Sequence, residues 1–352
     1  MSVFGGNSRG KPTGFMQTAK KHDVLTFGRA SIDLFSNDIG AAFEDITSFG
    51  AFIGGSSTNI AVSCSRLSLD TALLTGVGED QVGTFVLRFL KDEGVTTDYI
   101  PVVEGRTPAV LVGVQPPDTY PLVFYRSQAT DLNVTIDHVL AARLDAFRVI
   151  ILSGNALSRD PSRTATLFAA EHAQDLDVPV FLDLDFRVDQ WWDVRAYGVM
   201  VRALLPQVDV VIGTEEEVLA ASLSNRQQIK TSLQEVSSPE IKGDLNEAIR
   251  NILAQGVDVL IVKRGARGCS IYKQGEEEGS VPGFPVEILS VLGAGDAFAG
   301  GLTYGFLQGW DWYKACRMGN ACGALVVTRH GCANFMPTLE EALRFIEEQG
   351  GF

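Results

Sequence analysis

Cationic side chains are the scarce class in this sequence: 29 Lys and Arg stand against 43 Asp and Glu, a formal charge of −14. Affinity for a polyanion rests on clustered cations, so nucleic acid is excluded as an expected partner. Long apolar runs are also missing. None approaches the roughly 18 to 20 residues needed to cross a bilayer, and the first fifteen residues, MSVFGGNSRGKPTGF, contain no apolar signal core. A cytoplasmic protein with no membrane partner is expected. Cysteine is sparse and odd in number, at positions 64, 269, 316, 322 and 332, without a C-x-x-C pair. That excludes a disulfide frame and a zinc cluster and points to buried thiols. The four histidines, His22, His138, His172 and His330, are scattered. The patterns G-x-x-x-x-G-K-[ST], H-E-x-x-H and G-x-S-x-G do not occur, which leaves P-loop, zincin and nucleophile-elbow chemistry without support.

What is present is an ordinary globular balance, 45% hydrophobic and 20% charged over 352 residues, enough for a sizeable core. Residues 1 to about 21 lack apolar periodicity and are expected to be a mobile tail. From His22 onward, short Val/Ile/Leu runs (Asp23–Gly28, Val149–Gly154, Val178–Asp183, Val208–Gly213, Val257–Val262) alternate with helix-like stretches. This rhythm predicts an α/β fold with a mostly parallel sheet covered on both faces. Ligands of such sheets gather at the carboxyl ends of the strands. Between about 97 and 128 the rhythm breaks into successive β segments, Tyr99–Val103, Ala109–Val114 and Leu122–Arg126. With Phe49–Ile53 they predict a small antiparallel sheet, either a lid or a surface meander. The polar stretch from Ser224 to Asp244 is expected to be a loop.

The sharpest chemical signal is Leu292-Gly-Ala-Gly-Asp296 ahead of a helix-like run. Small residues let backbone N–H groups approach an anion at a helix start, and Asp296 there is either a cap or a general base for a hydroxyl attacking a bound phosphate. Phe52-Ile-Gly-Gly-Ser-Ser-Thr-Asn59 is a second glycine turn entering a helix, whose Asn59 offers a donor and an acceptor to a polyol. Gly28-Arg-Ala-Ser-Ile-Asp33 closes the first strand with a carboxylate suited to two hydroxyls. In Phe181-Leu-Asp-Leu-Asp-Phe-Arg187, alternation puts Asp183, Asp185 and Arg187 on one side, where Arg187 could neutralise a phosphoryl group or pair with an aspartate. Thr214 reads as the cap of an acidic first turn, and Glu216 either complements the dipole or holds Mg²⁺ through water. Lys263-Arg-Gly-Ala-Arg-Gly268 reads as a glycine turn between strands. Arg126 ends a lid-like strand, either clamping an anionic substrate group or lying exposed at the edge.

Taken in order, Gly28-Arg-Ala-Ser-Ile-Asp33, the Gly-Gly-x-x-x-Asn turn ending at Asn59, the Thr-Glu-Glu segment ending at Glu216, and Gly-Ala-Gly-Asp296 resemble the ribokinase-like (PfkB) sugar kinase family. The resemblance spans about residues 23 to 345. Phe124-Tyr-Arg, Leu152-Ser-Gly-Asn-Ala-Leu, Asp183-Leu-Asp-Phe-Arg with Trp191, and Arg329-His-Gly-Cys are similar to its inositol-catabolism branch. The resemblance implies a three-layer α/β/α kinase domain over 22–352, with a β lid from about 34–54 and 97–128 through which two subunits could pair. It implies ATP-dependent phosphorylation of a primary hydroxyl on a sugar acid. Asp296 would be the base, the amides of Gly293, Ala294, Gly295 and Asp296 the anion hole, and Arg187 the contact to the moving phosphoryl group. Asp33, Gly54, Gly55 and Asn59 would hold the substrate, with Arg126 facing its carboxylate. Lys263, Gly265, Gly268, Gly293, Gly295 and Asn320 would border ATP, and Glu216 would serve Mg²⁺. Two departures stand out: Ser290-Val291 where the family opens its motif beside a monovalent-cation site for an ion such as K⁺, and Gly213 where it has Asn. Another acid-sugar kinase, or a nucleotide- or sugar-binding regulator without turnover, would share most of these features.

Overall fold

A computed structural model describes residues 21–115, 119–223, 225–230, 240–273, 276–329 and 331–352. The expected tail apart from Lys21, and His330, lie outside the described residues. The strands are β1 (His22–Phe27), β2 (Ser31–Ser36), β3 (Phe49–Gly54), β4 (Thr71–Leu74), β5 (Ala109–Val112), β6 (Leu122–Tyr125), β7 (Phe147–Ser153), β8 (Val180–Asp183), β9 (Val210–Thr214), β10 (Ile229–Lys230), β11 (Glu240–Ile241), β12 (Val259–Lys263), β13 (Cys269–Lys273) and β14 (Glu276–Val281). The α-helices are α1 (Ser56–Arg66), α2 (Gln81–Asp92), α3 (Ile136–Ala141), α4 (Ser162–Asp175), α5 (Val194–Leu204), α6 (Glu215–Ala221), α7 (Leu245–Leu253), α8 (Ala294–Leu307), α9 (Trp312–Val327) and α10 (Leu339–Glu348).

The main sheet has the order β14-β13-β12-β9-β8-β7-β1-β4. From β4 to β12 every neighbouring pair is parallel, and the hairpin β12–β13–β14 adds two antiparallel strands. Alternation along each strand builds the three layers. Leu25, Ile150, Leu152, Leu182, Val211 and Leu260 pack with helices α4 to α7 on one face. Val24, Val149, Ile151, Phe181, Ile212 and Ile261 pack with α1, α8 and α9 on the other. Each such side chain, removed from water, contributes about 1.5–3 kcal/mol of transfer free energy. This is the layered α/β fold with a mostly parallel sheet expected from the apolar runs.

The small sheet has the order β3-β2-β5-β6. Three expectations change here. The sheet is mixed rather than antiparallel, because β2 pairs with β5 in parallel. Asp33 does not close the first strand: β1 stops at Phe27, the chain turns at Gly28, and Asp33 lies inside β2, paired with β3 and β5. Tyr99–Val103 forms no strand and contributes a single bridge from Val102 to Val77; Pro101 interrupts it by lacking an N–H. Between Ser224 and Asp244 the described residues include a short ribbon, β10 with β11, in place of a plain loop.

α8 carries Asp296 and is buried through glycines. A Cβ at Gly300 would fall 2.2 Å from Ser63 Oγ on α1, and one at Gly301 would fall 2.8 Å from the Met318 carbonyl oxygen on α9. Hydrogen in place of a side chain therefore sets how closely α8 approaches both neighbours. Gly301→Ala should cost about 1–3 kcal/mol and lower Tm by several degrees. Gly279→Ala, where a Cβ meets nothing within 4 Å, should stay within about 0.5 kcal/mol. Urea melts of the two variants check the contrast, and equal losses would count against the close-packed seam.

Candidate active site

The carboxyl ends of β8, β9 and β12 and the start of α8 enclose a cleft of about 180 Å³ lined by Asp183, Asp185, Arg187, Glu216, Lys263 and Asp296, among others. α8 begins without a side-chain cap: its N-cap Gly293 has φ 79°, a left-handed conformation that glycine adopts without strain, and Asp296 lies in the first turn. The 14-residue helix thus presents uncapped N–H groups and its positive dipole end to the cleft. Gly295 opens onto Lys263, whose Nζ is 3.0 Å from where a Cβ would sit.

Asp296 accepts hydrogen bonds from Asn59 Nδ2 at 2.7 Å and from Ser56 Oγ at 2.8 Å. Both donors stand on α1, which the glycine seam presses against α8. Burial raises the Asp296 pKa to about 6; Asn59 and Ser56 oppose the rise, and the Asp185 charge adds to it. Ser56 Oγ is also 3.0 Å from Asp183 Oδ2. A hydroxyl has one proton to give, so one of the two carboxyl groups must return a proton to Ser56 when both contacts are made. Asp183 suits that part: burial raises its pKa to about 7, Lys263 opposes, and Glu217, Asp185 and Asp296 add to the rise. Asp296, with the amide donor and the helix terminus, is then the carboxylate that ionises first.

The cations are held by the same acids. Lys263 Nζ lies 3.4 Å from Asp183 and 3.8 Å from Glu217. Burial alone would lower its pKa, but the Asp183, Glu217 and Asp296 charges hold it well above the usual lysine value. Arg187 pairs with Asp185 at 3.0 Å and donates to the Phe186 carbonyl; despite burial, Asp185, Glu217 and Asp296 push its pKa up. Thr214 and Glu217 form a capping box, and Glu217 also accepts from the Phe186 N–H at 3.3 Å. That leaves Glu216 exposed at the cleft wall. A Cβ at Gly213 would fall 2.5 Å from Leu184 Cδ1, so this site has no room for Asn without moving Leu184.

The expected residues divide into those brought to the cleft and those placed elsewhere. Asp296, Gly293, Ala294, Gly295, Arg187, Glu216 and Lys263 converge on it, Ala294 as the first residue of α8. Asn59 reaches it by binding the Asp296 carboxylate. Asp33 is buried beside Arg29 and accepts from Ser31 Oγ at 2.7 Å. Gly54 and Gly55 act at one remove: a Cβ at Gly54 would overlap the Asp33 carboxyl group at 2.0 Å, and one at Gly55 would lie 2.2 Å from the Arg29 carbonyl oxygen. Gly265 and Gly268 bracket the turn between β12 and β13, outside the cleft wall. Asn320 is buried, and its amide donates to the carbonyls of Val281 and Pro282, tying β14 to α9. Arg126 requires correction. It is buried rather than at an open edge; its Nε and Nη2 both bond Asp131, while Nη1 is 3.2 Å from Gln190 and 3.4 Å from Ser158. Its fork is filled by protein acceptors. Ser56, Asp183, Asp185 and Glu217 are contributors to which the sequence reading gave no role in the site; Asp183 and Asp185 had a local signal in the alternation that sets them beside Arg187, and Glu217 in the Thr-x-x-Glu spacing of a capping box.

A carboxylate poised for a proton, an uncapped helix terminus and two cations at one end of a parallel sheet define a phosphoryl-transfer enzyme of ribokinase-like fold. Comparison with known proteins agrees. Residues 21–339 match the pfkB family carbohydrate kinase profile. The chain is 30% identical to a 5-dehydro-2-deoxygluconokinase of Bacillus anthracis over 92% of its length and 95% of the relative's. It is similar to the structure of a fructokinase with bound ATP from Xylella fastidiosa, at TM-score 0.80 and 27% identity, covering 94% of this chain and 99% of that one. A putative ribokinase II in complex with ATP and Mg²⁺ from E. coli matches at TM-score 0.79 and 25% identity, over 93% and 99%. The chain belongs to the PfkB family of carbohydrate kinases and is a phosphotransferase with an alcohol acceptor.

The raised Asp296 pKa fixes the sign of a pH effect. Were Asp296 the base, it would have to be ionised to act, and kcat/KM would climb with pH up to about 6 and then level off. The Asn59 hydrogen bond favours the carboxylate, so Asn59→Ala should move the acidic limb to higher pH. An unmoved limb in a coupled ADP-release assay would remove Asn59 from that role.

Proposed function

We propose that the chain transfers the γ-phosphoryl group of ATP to the C6 hydroxyl of 5-dehydro-2-deoxy-D-gluconate. One observation carries this reading: Asp296 is held by Asn59 and Ser56 at the uncapped start of α8, beside Lys263 and Arg187. The name of the 30%-identical relative supplies the substrate. In the step, Asp296 takes the hydroxyl proton, the alcohol oxygen forms a bond to the γ-phosphorus, and the bond to the bridging oxygen breaks to release ADP. The amides from Gly293 to Asp296 receive the phosphoryl oxygens, and Arg187 and Lys263 balance their charge. Asp33 and Asn59 hold sugar hydroxyls, with Gly54 and Gly55 making room. The turn bearing Gly265 and Gly268 borders the nucleotide.

Among the described residues no group of three or more His, Cys, Asp or Glu could hold a metal ion. The donor set instead fits Mg²⁺ brought with the nucleotide, Glu216 at the cleft wall serving its bound water, and the ion would supply charge neutralisation on the phosphates. No step is assigned to a monovalent cation such as K⁺. We take residues 22–352 as one cytoplasmic kinase domain and the small sheet as its lid. Val123 and Tyr125, exposed on β6, give that sheet an apolar face on which a second subunit could pair.

Purified protein offered ATP, Mg²⁺ and a panel of 5-dehydro-2-deoxy-D-gluconate, 2-keto-3-deoxygluconate, fructose and ribose should release ADP with the highest kcat/KM on the first. A preference for 2-keto-3-deoxygluconate would reassign the substrate, and no ADP with any sugar would favour a binding regulator.

Asp296→Asn should cut turnover about a hundredfold to ten-thousandfold while ATP binding survives. The sign for stability is opposite. A folded pKa raised above the unfolded value makes ionisation work against the fold as pH passes 3.8 and on through about 6. The variant should therefore melt higher than wild type at pH 8. Near wild-type turnover in this variant would overturn Asp296 as the base.

A further inference from the structure

Arg29, on the link from β1 to β2, carries a charge that the phosphoryl chemistry does not use. It is 6% exposed, and its Nε and Nη1 find no hydrogen-bond partner. No carboxylate among the described residues closes to ion-pair distance of it. The groups acting on it through space are Asp33, Asp185 and Asp131, which favour its charge, and Arg126, which opposes it; burial outweighs them and lowers its pKa. The Phe124 ring on β6 covers one face, 5.0 Å from the guanidinium carbon. Buried guanidinium groups are ordinarily satisfied by acceptors, so Nε and Nη1 of this one are open to an acceptor that the described residues do not provide.

The neighbouring cations are already engaged. Arg126 is bonded to Asp131, Gln190 and Ser158, Arg187 to Asp185, and Lys263 to Asp183 and Glu217. Of the cations named here, Arg29 has the unassigned donors, and it stands beside Asp33 and Asp185. Asp185 also lines the phosphoryl cleft. An anion paired with Arg29 would therefore lie within electrostatic reach of Asp185, a residue that also lines the cleft. Asp33 and Asp185 rule out a highly charged anion there, since a second negative charge would face both; a single carboxylate fits the balance.

We propose that Arg29 is the specificity-determining residue that pairs with the carboxylate of an acid substrate, a part that the filled fork of Arg126 does not take. The inference rests on the sugar-acid reading above. Arg126 acts behind it as a positioning residue, holding Asp131 within the same group of charges.

The test compares 5-dehydro-2-deoxy-D-gluconate with its C1 carboxamide, which keeps the shape and removes the charge, by kinetics and by calorimetric binding. Wild type should prefer the acid about a hundredfold in kcat/KM. Arg29→Gln should erase most of that preference by raising KM for the acid, leaving KM for ATP and the parameters for the carboxamide within about threefold. Arg29→Lys, which retains charge but not the planar fork, should keep part of the preference. Equal loss on acid and carboxamide in Arg29→Gln would show a structural role and overturn the proposal, as would transfer of the whole effect to Arg126→Gln. If Arg29→Gln fails to fold, the wild-type preference and its partial retention in Arg29→Lys decide; a wild type indifferent to the charge overturns it. The kinase reading fails separately, by absence of ADP release from wild type. The binding arm needs no turnover and still reads Arg29 in that case: tight acid and weak carboxamide binding in wild type, levelled in Arg29→Gln, supports it.

Discussion

The structure is organised around one electrostatic constraint: Asp183, Asp185 and Asp296 are brought out of bulk water at the carboxyl edge of the main sheet, and Asp33 is buried in β2 of the small one. Such acids cannot all ionise unaided, because each charge raises the cost of the next while burial raises the cost of all. The chain answers with Lys263 against Asp183, Arg187 against Asp185, and hydroxyl and amide donors against Asp296. The outcome is a graded set, with Asp185 held low by Arg187 and Arg29 despite burial, Asp296 near 6 and Asp183 near 7. A carboxylate at position 296 that ionises just below neutrality is the product of this grading, as the proposed base requires.

The same constraint explains why the supporting elements are so closely packed. Ser56 and Asn59 reach Asp296 only because α1 and α8 approach through Gly300 and Ser63, and Asp33 fits beneath β3 only because residue 54 lacks a side chain. Gly54 and Gly55, which look in sequence like ligand contacts, here also make room for Asp33 and for the Arg29 backbone. Catalytic geometry and helix packing are thereby one problem. Moving α8 by the width of a methyl group would shift both the Asp296 carboxylate and the uncapped N–H groups at the helix start.

Much of the fold was legible because it rests on local periodicity. The runs at Asp23, Val149, Val178, Val208 and Val257 became β1, β7, β8, β9 and β12, and Gly-Ala-Gly-Asp296 became a helix start with its acid in the first turn. Errors arose where a residue's place depends on a distant partner. Asp33 follows an apolar strand in sequence, but pairing with β3 and β5 moves it to another sheet. Arg126 reads as an edge charge until Asp131, five residues on, closes over its fork. The tie of the Asn320 amide to two backbone carbonyls nearly forty residues away is likewise invisible in its local sequence.

By itself, the sequence determined the layered α/β architecture, the family and the identity of the acid and glycine-rich turn at the centre of the site. Those properties follow from side-chain period and backbone freedom, which act over a few residues. Only tertiary structure decided the protonation order of the carboxylates, the pairing of each cation and the unspent charge of Arg29. Each of these is a balance of burial against Coulomb interaction among groups far apart in the chain, and that balance exists only once the strands have brought them together.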